Sequence, residues 1–340
     1  MSDNLKKPVS LLNLPLDITN LVLEKLEPMD RLSARKVCKN LRNFIDKLET
    51  RFEMARVDIY KNRVILFLNE THICYMDALN GTMVPYDGQK KLIEGENFMN
   101  IAVQDLKIVL RYVSLLYLHN LTEERHDIVN LFIGSLKPEK WFQVKKLEIW
   151  DFEFNDVSTI IPYFKTTVLE NLKLNSKEEI DNFERIFHLD QWKFLRCFTL
   201  CVNDYGTEWA LDSSLFEHFF HFEKFLVTLD YFSTQMAVKV RDDLMRRHTF
   251  RKFYVFIKKS KLDTIAIAKV FKPDYVGDRE FQTEYSNNVN KFKLKIGSYF
   301  DNPNYCEFKD SAYFSDDQSG NMQGFLTVLI SESTARGTLL

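Results

Sequence analysis

Glycine and proline are scarce, ten and eight residues in a chain of 340. Together that is 18 of 340, about 5%, against a usual share of about 12%. Collagen-like and mucin-like architectures and long flexible linkers are excluded. No phosphate-binding glycine loop of the Walker or dinucleotide type occurs, and neither does a His-Glu-x-x-His helix or a Gly-x-Ser-x-Gly elbow. Cysteine is also sparse. Cys38, Cys74, Cys197, Cys201 and Cys306 are odd in number and scattered, which suits thiols of a reducing compartment better than a disulfide framework. No apolar run reaches the roughly 18 residues of a membrane helix, and Met1 to Pro8 has no signal-peptide core. A soluble chain, cytoplasmic and/or nuclear and not secreted, is expected. Neither sign of charge dominates: 46 Lys and Arg face 48 Asp and Glu, for a net charge of −2. A general nucleic-acid binder carries a basic surplus, so neither nucleic acid nor membrane is expected as a partner.

Little points to catalysis. Cys197 and Cys201 are four apart, but no second Cys/His pair lies at zinc-site spacing. His218 and His221 are three apart, beside Phe219, Phe220 and Phe222, which reads as aromatic packing. The carboxylates show no acid/base signature. No catalytic residue, metal or cofactor is assigned, and the chain is not read as an enzyme. An active site without a motif is the remaining enzymatic reading. What is abundant is core material: 45% hydrophobic residues and 29 phenylalanines, whose rings need partners.

Residues 8–50 read as three short helices. Pro15 suits a first turn. Ile18, Leu21, Val22 and Leu26 follow the i, i+3, i+4 pattern, and Glu27-Pro28 stops the helix. A second helix starts at Asp30 and carries Leu32, Ala34 and Val37. A third runs from Lys39 to Leu48 with Leu41, Phe44, Ile45 and Leu48 on one face. About 40 residues cannot hide so many leucines alone, so one apolar face is expected to dock elsewhere.

Leu14-Pro15-Leu16-Asp17-Ile18, Val22-Leu23, Leu26, Asp30, Val37-Cys38 and Leu41-Arg42 together resemble the F-box. Asp30-Arg31-Leu32 is similar to the nematode variant, with Arg31 where many F-boxes place leucine. The resemblance implies binding to the Skp-type adaptor of SCF ubiquitin ligases, with Leu14, Pro15, Ile18, Val22, Leu23, Leu32 and Val37 as the adaptor-contacting residues.

Residues 57–86 read as short strands, with turns at Asn62-Arg63 and Asn80-Gly81. A helix is expected near Asp105–Arg111. Then apolar-x-x-apolar-x-apolar recurs, centred on residues 147, 172, 198, 225 and 253, at spacings of 25, 26, 27 and 28. Val113/Leu116/Leu118 is a more distant copy. Helix-like segments lie between copies at 156–164, 178–187, 215–222 and 236–247. A strand and a helix every 20–29 residues or so is the pattern of a leucine-rich-repeat-like solenoid. An ordinary α/β domain with coincidental spacing is the other reading.

Gln191-Trp192-Lys193, His221-Phe222-Glu223-Lys224-Phe225, Asp242-Asp243-Leu244 and Phe271-Lys272-Pro273-Asp274-Tyr275 resemble the FTH domain, which accompanies the F-box in the nematode F-box A family. The expected fold is α/β: a three-helix F-box (8–50), a connecting β-rich segment (51–104), an irregular leucine-rich-repeat-like FTH domain (105–262) and a C-terminal β-rich extension (263–330).

Alternation along parallel strands turns the residues flanking the apolar positions to the opposite face. The columns there read Lys146, Asn171, Cys197, Lys224, Lys252; then Glu148, Lys173, Thr199, Leu226, Tyr254; then Trp150, Asn175, Cys201, Thr228, Phe256. Trp150, Leu226, Tyr254 and Phe256 are the candidate client-binding anchors. Alternatively, residues 262–340 fold over this face and these residues are core. Residues 241–261 are locally basic. The expected function is that of a non-catalytic substrate-recognition adaptor of an SCF-type E3 ligase. It would join a Skp-type adaptor, and through it a cullin, to an unidentified client protein. The alternative is a scaffold that binds the adaptor or a regulatory protein without promoting ubiquitination.

Overall fold

The computed structural model describes residues 15–26, 30–31, 34, 39–45, 52–86, 89–111, 113–123, 126–137, 141–176, 183–202, 210–247, 249, 252–257, 263–277, 281–286, 291–297 and 324–330. The fold is α/β and divides into two compact units, Met1–Val144 and Lys145–Leu340.

The first unit opens with helices α1 (Leu16–Glu24) and α2 (Lys39–Ile45). Pro15 stands at the N-cap of α1, where a missing N–H costs nothing, and its carbonyl accepts from the Thr19 backbone N–H at 3.0 Å. Leu23, Leu41 and Ile45 form a small core, flanked by Leu26, Ala34 and Phe44. A run of strands follows: β1 (Phe52–Tyr60), β2 (Arg63–Leu68), β3 (Thr71–Ala78), β4 (Gly81–Tyr86) and β5 (Gln89–Glu94). They pair antiparallel in sequence order, as short turns dictate. Gly81 is needed at its turn. Its φ is +149°, and a Cβ there would lie 2.1 Å from the Ile93 carbonyl oxygen.

Helix α3 (Phe98–Val109) begins earlier than its apolar pattern suggests, because Asn97 caps it by accepting from the Met99 N–H at 2.8 Å. It leads to β6 (Val113–Asn120), which lies parallel to β1, and helix α4 (His126–Leu136) follows. Tyr75 Oη donates to Asp105 at 2.7 Å and ties β3 to α3.

In the second unit β7 (Lys146–Trp150), β8 (Asn171–Ser176), β9 (Cys197–Val202), β10 (Lys224–Leu229) and β11 (Lys252–Ile257) are parallel and adjacent in chain order. The registers align Leu147 with Leu172, Leu172 with Phe198, Phe198 with Phe225 and Phe225 with Phe253. All five repeat centres therefore stand in one row. The backbone repeats as well: the carbonyls of Lys145, Glu170, Arg196 and Glu223 each accept from the N–H groups that open the next strand.

Helical segments connect the strands: α5 (Phe154–Ile160), α6 (Glu184–Phe187), α7 (Asp190–Phe194) and α8 (Thr234–Arg246). The helix expected at 215–222 is a 3₁₀ turn, Ser213–Phe219, opened by Asp212 accepting from the Ser214 N–H. Helix α9 (Thr264–Phe271) precedes β12 (Phe281–Ser286), β13 (Lys291–Gly297) and β14 (Gly324–Ile330). β14 pairs antiparallel with both β11 and β13, so the last strand sits inside the order β12-β13-β14-β11-β10-β9-β8-β7.

Candidate functional site

Two surfaces are candidates, one in each unit. On α1 the 3.6-residue period sorts the side chains. Thr19, Leu23 and Leu26 face inward, and Leu23 is fully buried against the small core. Ile18, Leu21 and Val22 form an outward stripe, 39–54% exposed. Three branched aliphatics side by side on water make a candidate docking surface, worth about 1 kcal/mol each when covered. Pro15 is exposed beside them. Leu23 corrects the expectation of an adaptor contact, since it is one position past the stripe and turned into the core. Leu14, Leu32 and Val37 lie outside the described residues. Arg31, the departure from the usual F-box leucine, closes the end of α1. Its Nε donates to the Leu26 carbonyl at 2.9 Å and its Nη2 to that of Glu24. The Glu24 carbonyl, at the last residue of α1, is one that the helix itself leaves unsatisfied.

In the second unit the helix side of the sheet is aromatic. Trp192 meets Phe183, Phe187, Phe198, Phe219 and Phe222 edge-on or tilted at 4.8–6.1 Å. Phe225 contacts Phe216 and Phe219 and stacks on Phe253 at 5.0 Å. The segments that resemble the FTH domain hold this packing together. Gln191 Nε2 donates to the buried Phe164 carbonyl at 2.8 Å, and His221 Nε2 to that of Trp192 at 2.9 Å. Arg247 reaches the Phe222 carbonyl and pairs with Asp243 at 2.7 Å. His218 stacks on Phe187 at 4.1 Å. Both histidines therefore serve the packing read from their phenylalanine neighbours. Burial holds the His221 imidazole below its usual pKa.

The opposite, helix-free side changes along the sheet. On β7 and β8 buried and half-exposed positions largely alternate. Trp150 is half-buried, the Lys173 ammonium lies 5.1 Å from its ring centre, and Lys173 pairs with Glu148 at 3.4 Å. On β10 and β11 both sides are buried. Leu226, Tyr254 and Phe256, at 3–8% exposure, are not the open anchors that alternation suggests. The expectation is corrected for those three, because alternation predicts exposure only where one face of a sheet is left uncovered.

The same face carries lysines beside the four candidate anchors. The row Lys146, Asn171, Cys197, Lys224, Lys252 is continued by register through Leu329 to Lys293 and Glu284. The next row, with Glu148, Lys173 and Tyr254, runs on through Thr327 to Lys295 and Gln282. The strict alternation of Lys291, Phe292, Lys293, Leu294, Lys295 and Ile296 was the available signal.

The F-box domain family matches residues 11–53, and the FTH domain family matches residues 126–274. The chain therefore has one segment similar to the F-box and another similar to the FTH domain. It is 26% identical over 308 residues to F-box A protein 224 of Caenorhabditis elegans, covering 86% of this chain and 78% of that protein. No solved structure matches it. An F-box implies a Skp-type adaptor as partner and an SCF-type complex around it. Among the described residues no helix is long and apolar enough to cross a membrane.

Proposed function

We propose that this chain is the substrate-recognition subunit of an SCF-type E3 ubiquitin ligase, itself non-catalytic, acting in the cytoplasm and/or nucleus. In this reading α1 docks the Skp-type adaptor, and through it a cullin, using Pro15, Ile18 and Val22 with Leu14, Leu32 and Val37. The strand–helix units of the FTH domain form a leucine-rich-repeat-like solenoid over 105–262 that holds a client protein, and Trp150 is the aromatic contact on its helix-free side. Ubiquitin transfer occurs elsewhere in the complex, and the subunit contributes proximity, raising the effective concentration of client lysines at the transfer site.

The observation that carries the reading is the exposed Ile18–Leu21–Val22 stripe within the matched F-box. The in-register rows of β7–β11 support the repeat architecture. The test is a pull-down of the intact chain beside an Ile18→Asp/Val22→Asp variant, read by mass spectrometry. An unpaired carboxylate in an apolar contact costs several kcal/mol, so adaptor and cullin should vanish together while other partners stay. An intact chain that captures no adaptor refutes the reading. Adaptor captured without a cullin, with no client lengthening its half-life when the chain is removed, favours a scaffold instead.

A further inference from the structure

We infer that the helix-free face of the second unit's sheet docks an Asp/Glu-rich, unphosphorylated segment of the client; this rests on the client-receptor reading above. The whole chain carries a net charge of −2, yet this face is strongly cationic. By register it holds seven lysines, at 146, 173, 224, 252, 291, 293 and 295, against two glutamates, Glu148 and Glu284, a surplus of five positive charges. Lys173 is engaged by Glu148. Lys146 and Lys224 are exposed and make no ion pair among the described residues. Lys224 stands directly opposite Lys252 on the next strand, whose ammonium lies 4.7 Å from the Tyr254 ring centre, so two positive charges are neighbours in this row.

The chemistry of the face selects the occupant. From β7 to β13 there are six strand spacings, about 29 Å at roughly 4.8 Å each. An extended segment of about nine residues spans it along the row of Lys146, Asn171, Cys197, Lys224, Lys252 and Lys293, which are exposed or half-exposed, and stays clear of the buried Leu226, Tyr254 and Phe256. Lysines spread along such a track match a run of carboxylates. A single phosphate is better served by converging arginines with their bidentate fork, and no arginine stands in these rows. A single-stranded nucleic acid needs several exposed rings for its bases, and here Tyr254 and Phe256 are buried while Trp150 is half-buried beside Lys173.

The test uses the full chain and fluorescence anisotropy with a labelled twelve-residue peptide of alternating Asp and Glu, its Asn/Gln counterpart, a singly phosphorylated serine peptide, and a single-stranded RNA of equal charge. Lys146→Gln/Lys224→Gln/Lys293→Gln removes three charges from the face. Lys61→Gln/Lys91→Gln/Lys272→Gln removes three exposed charges from outside it. The acidic peptide should bind the intact chain, lose about tenfold in affinity in the face variant, and change less than about twofold in the control. Equal loss in both variants, tighter binding of the RNA, or binding of the phosphorylated peptide alone overturns the proposal. Clients still captured in full by the face variant overturn the lysine face and leave the receptor reading intact. A chain that captures its adaptor and no client overturns both.

Discussion

Helix α1 and strand β13 are both two-sided. Along β13 consecutive residues alternate between exposed or half-exposed lysine and buried Phe292, Leu294 and Ile296. Along α1 the same division follows the helical period, with Leu23 inward and Ile18, Leu21 and Val22 outward. The inward sides are alike and the outward sides are opposite. An apolar stripe on water is a standing cost, relieved only by a partner that stays. A row of lysines is content in water and weakens its hold as salt rises. Under the proposed reading, the difference suits a lasting attachment at α1 and an exchanging one at the lysine face.

The strongest way to break the comparison is to attack the inward sides. Trp192→Ala should lower stability by about 3–5 kcal/mol in urea denaturation, because it opens a cavity among five phenylalanines. Tyr254→Ala, on the helix-free side but buried, should cost about 2–4 kcal/mol; a loss below about 0.5 kcal/mol would restore it as an open anchor. On α1, Leu23→Ala should cost about 2–4 kcal/mol, whereas Val22→Ala should leave the melting temperature nearly unchanged and weaken adaptor binding. If Leu23→Ala were silent, the inward and outward assignments of α1 would have to be exchanged.

Asp58 in the first unit tests what happens when a charge on a strand is buried. Burial pushes its carboxyl up, but hydrogen bonds from His119 and Arg56, the latter at 2.7 and 2.9 Å, outweigh that and hold it below the usual carboxylate range. A lowered folded value means stability that is present above the unfolded pKa of about 3.8 and lost as pH falls through the folded value. Asp58→Asn should cost about 1–3 kcal/mol at pH 7 and flatten the acid limb of the stability profile. An unchanged acid limb would mean the cluster carries no linkage. The smallest effect is expected of Lys146→Gln, under about 0.5 kcal/mol in stability, with its consequence confined to acidic-peptide binding.

The features legible in the sequence are the local ones. Alternation and turns announce β1 to β3, and the five repeat centres occupy one row because apolar spacing within a strand–helix unit is a local property. The stripe on α1 was visible, but its boundary was not: Leu23 and Val22 are neighbours, and only the partners at Leu41 and Ile45 decide which turns inward. The burial of Leu226, Tyr254 and Phe256 depends on what covers β10 and β11, which strand periodicity does not encode. The lysine face required topology. Lys252 and Lys293 are 41 residues apart in sequence and share a row only because a strand from the chain's end lies between theirs.

That insertion has a consequence for synthesis. Residues 252–257 and 291–297 leave the ribosome well before 324–330, so during translation β11 waits with one edge unpaired and β13 has no neighbour on its inner side. A chain cut anywhere between residues 298 and 323 would keep every lysine of the face and still lack the continuous track. It would also expose the β11 edge, an apolar Phe-Tyr-Val-Phe-Ile run open to strand exchange with other nascent chains. A truncated product should therefore aggregate through that edge rather than act as a weaker form of the proposed receptor.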